Sequence, residues 1–314
     1  MSEQHKIIIL GATGFVGKAL TERWIRANHQ VICVGRSKEK IKKLFLNKVE
    51  ALDWDAFKAS KIDLSGLTCV VNLAGAGIAD KRWTSKRKTE ILSSRVNATN
   101  HAVRFCLKHK VPLINASAIG IYGLQEVNKN GLPSKLDEDS VTFSVDSQSD
   151  FLLEVCQAWE EGTRPLKKAG IRSVNIRLGV ILGRKGGALA KMALPFYLFA
   201  GGPIGSGYQP VSWISLTDVC RAIDFVIESK KLEGAVNLVA PHCVTQKELG
   251  NVLGKVLNRP SFMPTPGFIL KLILGQMADE LLLNGQHVYP KKLVDEGFTF
   301  NHPMIIDALK DIYE

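Results

Sequence analysis

Three glycines spaced three residues apart follow a short apolar run near the start of the chain, in the sequence KIIILGATGFVG at residues 6–17. Gly11 can adopt a turn conformation that other residues avoid, and Gly14 lets a ligand approach the bare backbone. Gly17 allows a helix to pack closely on the preceding strand. Because the free N–H groups and the positive end of that helix point to one place, the spacing predicts a pyrophosphate site. The alternative is a strand–helix turn that binds nothing, since the spacing differs from the G-x-G-x-x-G of typical dehydrogenases.

A second candidate, Arg36, follows the predicted strand 30–35. In such a unit the residue that ends the second strand faces the adenosine ribose, where an acid would bind the 2′-hydroxyl of NAD. None of Gly35, Arg36 and Ser37 is acidic, and a guanidinium suits the additional 2′-phosphate of NADP. The sequence therefore predicts NADP(H) as the cofactor, with an ordinary surface arginine as the alternative.

Further candidates lie at the ends of two later strands. Small residues at 74–77 follow the predicted strand 69–73, where they would let a dinucleotide lie close to the backbone. Ser117 comes just after the predicted strand 111–116, at the strand end where chemistry takes place in doubly wound sheets. Tyr122, in the turn beyond Ser117, is a candidate to transfer a proton, and the alternative is that it only packs in the turn. The six cysteines contain no C-x-x-C pair, so no metal site is predicted.

The elements that must position these residues alternate between short apolar strands and helices. This alternation predicts an α/β fold, a Rossmann-type doubly wound parallel sheet with a smaller C-terminal substrate lobe. We expect the NADP-binding domain at 1–178, its sheet completed by about 213–240, and the small lobe at 179–212 and 241–314. Three segments outside the regular alternation are a surface loop at 129–148, a glycine-rich loop at 201–207 and one helix over 267–283.

Composition limits the class of protein. The chain has 314 residues, of which 46% are hydrophobic and 23% charged, as in a soluble globular protein. No apolar run approaches the ~20 residues of a membrane span, and the polar start leaves no room for a signal peptide. The scattered cysteines are interpreted as reduced. We therefore predict a cytoplasmic protein without a membrane partner.

The formal net charge of +11 could indicate a nucleic-acid or anionic membrane partner. The basic residues are widely spread, however, and their densest run, at 81–88, lies near the predicted ligand cleft. An anionic cofactor accounts for part of the excess and a solvated basic face for the rest, which argues against nucleic acid.

The chain resembles the extended branch of the short-chain dehydrogenase/reductase superfamily, and most closely an NAD(P)-dependent epimerase-like subfamily of the sugar-nucleotide epimerase type. The resemblance covers essentially the whole chain. The stretches that carry it are 11–17, 72–75, 82–83, 94–96, 158–160, 177–183, 186–192, 201–207, 285–286 and 290–291.

This resemblance implies NADP bound across the first lobe and pairing of two copies through a bundle of the long helices. It places five residues at the pyrophosphate, namely Gly11, Thr13, Gly14, Phe15 and Val16. It places Arg36 at the 2′-phosphate, and sets Leu73, Ala74, Gly75, Glu90, Arg95 and Val180 near the cofactor. We add Gly17, Gly35, Ser117 and Gly179 as cofactor neighbours. Substrate is expected beside Lys191, Gly205 and Trp213.

The chain departs from the superfamily in its catalytic device, a Tyr-x-x-x-Lys in which lysine lowers the tyrosine pKa for proton transfer. None of the five tyrosines has lysine four residues later, and Ala118 falls at the usual serine position. One hypothesis is an oxidoreductase that transfers hydride at a hydroxyl or carbonyl carbon of a small molecule, a nucleotide-sugar-like one included, with Ser117, Tyr122 or Lys191 moving the proton. The others are an inactive NADP(H) sensor or partner-binding protein, and an RNA binder.

Overall fold

The computed structural model describes residues 4–60, 62–126, 129, 131–140 and 150–314. Its centre is a seven-stranded parallel sheet in the order β10-β6-β5-β4-β1-β2-β3. The strands are β1 (Lys6–Leu10), β2 (Gln30–Gly35), β3 (Glu50–Asp53), β4 (Leu67–Asn72), β5 (Leu113–Ala118), β6 (Ser173–Leu178) and β10 (Gly234–Leu238). Leu10 pairs with Val34 on one side and Asn72 on the other, so the strand order reverses at β1. This is the ligand-binding switch point of a doubly wound sheet, and the predicted fold class is confirmed.

Helices cover both faces of this sheet. On one face, α1 (Phe15–Arg26) and α8 (Leu216–Glu228) pack on the side chains of Ile7 and Ile9. The other face carries α4 (Ser85–His109), α5 (Phe151–Glu161) and α6 (Arg164–Lys168). Two short helices complete this half, α2 (Lys38–Leu44) and α3 (Trp54–Lys58). Because both faces are covered, the strands can be apolar throughout, as the sequence IIIL in β1 is.

The small lobe contains two short two-stranded sheets. In one, β7 (Val180–Leu182) pairs with β9 (Trp213–Ser215), and in the other β8 (Pro210–Val211) pairs with β11 (Val244–Thr245). The helices of this part are α7 (Gly187–Tyr197), α9 (Gln246–Leu257), α10 (Gly267–Leu274), α11 (Gln276–Ala278), a π-helical turn (Asp279–Leu283) and α13 (Ile305–Tyr313). The small lobe has its own core, in which Trp213 packs with residues of α7, α9 and α13.

Two segments near the expected lobe boundaries make contacts in both lobes. Of the segment 213–240, β10 joins the main sheet, whereas β9 belongs to the small one. Near the other end of the chain, α12 (Lys291–Asp295) packs against β10, and Leu293 and Phe298 lie in the core of the large lobe. The segment around 291–298 therefore returns to the cofactor domain, because its apolar side chains cover the last strand of the sheet.

Two expectations about individual segments also change. The helix expected over 267–283 is interrupted at Gly275, whose φ of +62° and ψ of −140° only glycine adopts readily. Of the loop expected over 129–148, residues 130 and 141–148 lie outside the described residues. In the described part Glu138 is buried and accepts a hydrogen bond from the backbone N–H of Asn237 at 2.9 Å, so this part is anchored to the sheet.

Within the described ranges, none of the helices has the length and apolar character needed to cross a lipid bilayer. The six cysteines are free thiols, five of them buried, which agrees with their interpretation as reduced core residues. The cytoplasmic location stays a prediction.

Candidate functional site

The turn after β1 presents a bare helix N-terminus to solvent. Gly14 is the N-cap of α1 in an extended conformation, no side chain caps the helix, and its first turn holds no acid. Gly11 has a φ of +86°, and a Cβ atom there would lie 2.8 Å from the carbonyl group of Leu73. Thr13 and Gly14 are exposed, so their backbone is open to a ligand. This cradle fits a pyrophosphate, whose charge would meet free N–H groups and the positive helix end.

Arg36 lies exposed just beyond β2, at the same edge of the sheet. It makes no ion pair or hydrogen bond with any residue in the described part of the chain. Its basic neighbour Lys38 is already paired with Asp53 at 2.9 Å. The guanidinium of Arg36 is therefore available to an anionic ligand.

The loop after β4 is fixed from below by buried polar side chains. Asn72 accepts a hydrogen bond from the backbone N–H of Ala74 at 3.2 Å, and Arg95 donates to the carbonyl oxygen of Ala76 at 3.0 Å. Arg95 is buried over the ring of Trp159, and this burial lowers its pKa. Because a Cβ atom at Gly75 would lie 3.2 Å from Arg95, this side chain supports the loop rather than filling the open groove.

Glu90, which the resemblance sets near the cofactor, is already paired with a neighbouring arginine. Its carboxylate accepts a hydrogen bond of 2.7 Å from Arg87, and this bond is the main reason that the pKa of Glu90 is lowered. Arg87 also donates to the carbonyl oxygen of Gly77. The negative charge of Glu90 is therefore offset before any phosphate group approaches.

The opposite wall of the groove comes from the small lobe. The ring of Phe15 lies against three glycines, because Cβ atoms at Gly183, Gly186 and Gly187 would lie 2.7–2.8 Å from it. On α7, the Nζ of Lys191 donates to the carbonyl oxygen of Ala79 in the loop after β4. The glycine turn thus lies in a groove between the segments 73–80 and 183–191.

Of the remaining cofactor and substrate candidates, some are half-buried and one lies in the hydrophobic core of the small lobe. Gly179 and Val180 are half-buried where β7 begins, and the N–H of Val180 donates to Ser212 at 2.8 Å. Gly205 is half-buried with a φ of +58°. Trp213 is fully buried, and its indole N–H is bonded to the carbonyl oxygen of His242. It does not line an open cleft, because its apolar ring forms the small-lobe core instead.

Ser117 lies inside β5 rather than beyond its end, and its side chain is buried. The hydroxyl donates to Glu160 at 2.7 Å, and Glu160 in turn accepts two hydrogen bonds from Arg177, both of 2.9 Å. The strand continues two residues further than the sequence pattern predicts, because Ala116, Ser117 and Ala118 pair with β6. Ser117 is therefore already engaged by a buried ion pair.

Tyr122 also has both of its hydrogen-bonding capacities used. It accepts from Arg177 at 3.1 Å and donates to Asn237 at 2.8 Å. Burial raises the pKa of Tyr122 to about 12. A tyrosine that donates a proton near neutral pH needs a lowered pKa, so this environment does not favour that role.

The face of α5 toward Ser117 holds no substitute for the missing tyrosine and lysine. A Cβ atom at Gly120, in the turn after β5, would lie 3.1 Å from Leu152 and 3.5 Å from Cys156. These two residues have the four-residue spacing of the superfamily pair, yet Leu152 has no titratable group. Burial raises the pKa of the Cys156 thiol to about 12. Neither of these two side chains therefore provides an acid or base that titrates near neutral pH.

Sequence reasoning missed the partners that hold these hydroxyls, Glu160, Arg177 and Asn237. Their signal was present as charged or amide side chains inside otherwise apolar strands and a helix, where a polar group requires a partner. Glu160 and Arg177 lie in two of the stretches that resemble the family, but the sequence does not show that they pair with each other.

Two wide concavities lie outside the groove. One, of about 710 Å³, follows the outer face of α5 and α6 and the edge formed by Ser173 and Gly234. The other, of about 600 Å³, lies at the start of β1 between the ends of α1 and α8. Neither includes the glycine turn or Arg36.

Glu280 connects the two lobes next to this site. Its carboxylate accepts hydrogen bonds from the backbone N–H groups of Phe151 and Leu152, at 3.1 and 2.8 Å, and so caps α5. Burial raises the pKa of Glu280 to about 7, and the nearby carboxyl group of Asp150 acts in the same direction.

This raised pKa predicts a pH-dependent stability. Glu280 keeps its proton to higher pH in the folded chain than in the unfolded chain, where its carboxyl group has a pKa near 4.5. The protonated Glu280 side chain therefore makes its full contribution to the free energy of unfolding below the pKa of the unfolded chain, and this contribution is lost as the pH rises toward 7. Glu280→Gln should make the pH dependence of the unfolding free energy shallower between these values, by up to about 1.4 kcal/mol per pH unit. Denaturant unfolding of both proteins across this range measures it, and identical slopes would contradict the assignment.

Comparisons with known proteins identify similar sequences and a similar fold. A model of the NAD dependent epimerase/dehydratase family matches residues 7–238, and a domain of unknown function (DUF1731) matches residues 265–312. The epimerase family protein YfhF of Bacillus subtilis (strain 168) is 37% identical over 98% of this chain and 97% of its own length. A chloroplastic SDR39U1 homologue of Arabidopsis thaliana is also 37% identical, over 99% and 87%. The crystal structure of the human epimerase family protein SDR39U1 (isoform 2) with NADPH superposes with a TM-score of 0.86, at 31% identity and with 98% and 99% coverage.

Proposed function

The chain belongs to the NAD-dependent epimerase/dehydratase family, and within it we propose an NADP(H)-binding, epimerase-like oxidoreductase. The single observation that carries the choice of cofactor is the exposed guanidinium of Arg36 near the glycine turn, which has no hydrogen-bond or ion-pair partner among the described residues. The human relative solved with NADPH supports the same choice.

The chain's own residues have defined tasks in this proposal. The backbone of Thr13, Gly14, Phe15 and Val16 holds the pyrophosphate, and Arg36 holds the 2′-phosphate. Arg95 and Asn72 keep the loop 73–77 in place beside the dinucleotide. When bound, the cofactor supplies a hydride acceptor or donor for a hydroxyl or carbonyl carbon of a small molecule, a nucleotide-sugar-like one included. Lys191 and Gly205 lie on the small-lobe side, where we place the substrate.

Arg36→Asp tests the cofactor assignment. The variant loses a charge-assisted contact with the 2′-phosphate, so NADPH affinity should fall between about 10- and 150-fold. NADH lacks that phosphate, and its affinity should change less than about threefold. Titration of both nucleotides, followed by nicotinamide fluorescence, measures the difference.

Arg104→Asp is the matched control, since it makes the same change of charge at an exposed position of α4. It should leave both affinities as in the wild type. An equal loss of NADPH and NADH affinity in Arg36→Asp would remove the role of Arg36. Failure of the wild type to bind either nucleotide would overturn the proposal.

A second candidate function, an NADP(H) sensor without turnover, is favoured by one observation. Leu152 and Cys156 occupy the tyrosine–lysine spacing on α5, and Tyr122 has a raised pKa. The two functions are separated by following the absorbance of bound NADPH against a panel of carbonyl compounds and a cell extract. Oxidation above the protein-free rate identifies an oxidoreductase, whereas stable bound NADPH in both assays identifies a sensor.

A further inference from the structure

Large apolar side chains are exposed on neighbouring elements of the small lobe. Across the described chain, 14 large hydrophobic residues are exposed, and ten of them lie on the end of α7, on the segment 262–263 and on α10. The ten are Leu194, Tyr197, Leu198, Phe199, Phe262, Met263, Phe268, Ile269, Leu272 and Ile273. Single exposed apolar residues are normal on a protein surface, but such a concentration indicates an interaction site.

These elements adjoin one another through a pair of hydrogen-bonded segments, 201–205 and 263–265. The N–H of Met263 donates to Gly201 at 3.0 Å, and the N–H of Thr265 donates to Pro203 at 2.9 Å. The guanidinium of Arg259 lies 4.7 Å from the ring centroid of Phe199, at the end of α7. We call the ten residues together the apolar surface.

Helix α10 turns its apolar residues outward. Phe268 and Leu272, four residues apart, form one row, and Ile269 and Ile273 form the adjacent row of the same face. Phe268 is 73% and Leu272 78% exposed, and none of the eight residues of α10 is fully buried. Leu274, the last residue of α10, packs on the hydrophobic cluster around Trp83. The helix therefore contacts the protein at its carboxyl-terminal end, and its two apolar rows are exposed.

The two sequence segments that contain the apolar surface carry basic but no acidic side chains. The chain has no Asp or Glu at 162–217 or at 249–278, the two segments that contain it. Of the basic residues in these segments, Arg259 lies over the ring of Phe199 and Lys271 belongs to α10, whereas Lys191 is directed to Ala79 in the groove. One of them, Lys271, pairs with Asp279 at 2.7 Å from outside the segment. A second copy of this chain facing the same surface would oppose like charges, whereas an anionic bilayer is complementary to it.

We propose that the apolar surface docks on lipid bilayers that contain anionic phospholipid. Phe268 and Leu272 enter the boundary between headgroups and acyl chains, as the apolar face of an interfacial helix does. Arg259 and the other basic side chains of the segment 249–278 contact the lipid phosphates. This docking is peripheral and requires no spanning helix, and it goes beyond the proposed oxidoreductase function. It also replaces the sequence-based expectation of a protein without a membrane partner.

Flotation of the full-length protein with lipid vesicles tests the docking. The vesicles are phosphatidylcholine alone or phosphatidylcholine mixed with phosphatidylglycerol, at low and at high salt. The wild type should float with the mixed vesicles at low salt, and markedly less with phosphatidylcholine or at high salt. Leu272→Glu should lower the partition coefficient by at least about tenfold, because it removes an inserted apolar group and adds a repelled charge.

Leu46→Glu is the matched control, since Leu46 is 76% exposed on the large lobe, beyond α2, and receives the same substitution. It should float as the wild type does. Unchanged NADPH affinity in Leu272→Glu shows that the variant is folded. If neither the wild type nor the variants bind NADPH, that result contradicts the proposed oxidoreductase function but not the docking. Docking is overturned if the wild type does not float with the mixed vesicles, or if Leu272→Glu floats equally well. It is also overturned if the wild type is a dimer that Leu272→Glu converts to a monomer in sedimentation velocity without vesicle binding.

Discussion

Glu160→Gln is expected to lower the free energy of unfolding by about 3–5 kcal/mol. Glu160 is the carboxylate that pairs with Arg177 through two hydrogen bonds of 2.9 Å, and it also accepts the hydroxyl of Ser117. The side chain of Arg177 is only 4% exposed. The neutral amide would therefore leave a buried guanidinium without a counter-charge at the centre of the candidate site. Urea unfolding, analysed by linear extrapolation with an unchanged slope, measures the loss.

The adjacent Glu161 gives a closely matched control. It is exposed and pairs with Arg164 at 2.9 Å, so Glu161→Gln removes the same kind of ion pair from water-accessible surroundings. Exposed pairs contribute little to stability, and this variant should unfold close to the wild type. If the two variants lose the same free energy of unfolding, or if Glu160→Gln loses none, then burial does not increase the contribution of the Glu160–Arg177 pair to stability.

Gly17→Ala is expected to destabilise the protein by about 3 kcal/mol or more. Alanine within a helix normally stabilises it relative to glycine by about 1 kcal/mol, so the expected sign is opposite to the usual one. The cause is steric, since a Cβ atom at Gly17 would lie 2.2 Å from the carbonyl oxygen of Gly11. Relief requires α1 to move away from β1, which opens the turn. Denaturant unfolding measures the loss, and an unchanged or raised stability would contradict the close approach.

Gly14→Ala separates the structural role of the turn from its role in binding. A Cβ atom at Gly14 would lie 3.3 Å from the carbonyl oxygen of Gly11, a contact that a small shift relieves. Stability should stay within about 1 kcal/mol of the wild type. The added methyl group occupies the open side of the turn, so NADPH affinity should fall roughly tenfold. A Gly14→Ala protein that binds NADPH as the wild type does would place the pyrophosphate elsewhere.

The parts of the molecule that could be predicted from sequence are those fixed by short stretches of chain. The run IIIL in β1 specifies a strand buried on both faces, and the glycine spacing after it specifies the turn and α1. Arg36 follows β2 directly, so its position at the sheet edge needed no knowledge of the rest of the fold. The alternation of strands and helices then indicates a parallel sheet with helices on both faces.

The parts that could not be predicted depend on contacts between distant residues. Ser117 and Glu160 are 43 positions apart, and the pattern around Ser117 does not show that its hydroxyl is already used. Trp213 adjoins a glycine-rich loop in sequence, but its ring is buried by α7, α9 and α13. The apolar pattern of 267–283 continues across Gly275, and the break depends on the backbone conformation of one residue.

The contact between Phe15 and the glycines at 183–187 has a consequence for biosynthesis. Phe15 and Gly183 are separated by 168 positions (183 − 15), more than half of the 314-residue chain. A nascent chain that has completed β1, α1 and β2 holds the glycine turn and Arg36 but lacks the wall that packs on Phe15. The groove around the glycine turn is therefore complete only after the small lobe has been synthesised and has docked.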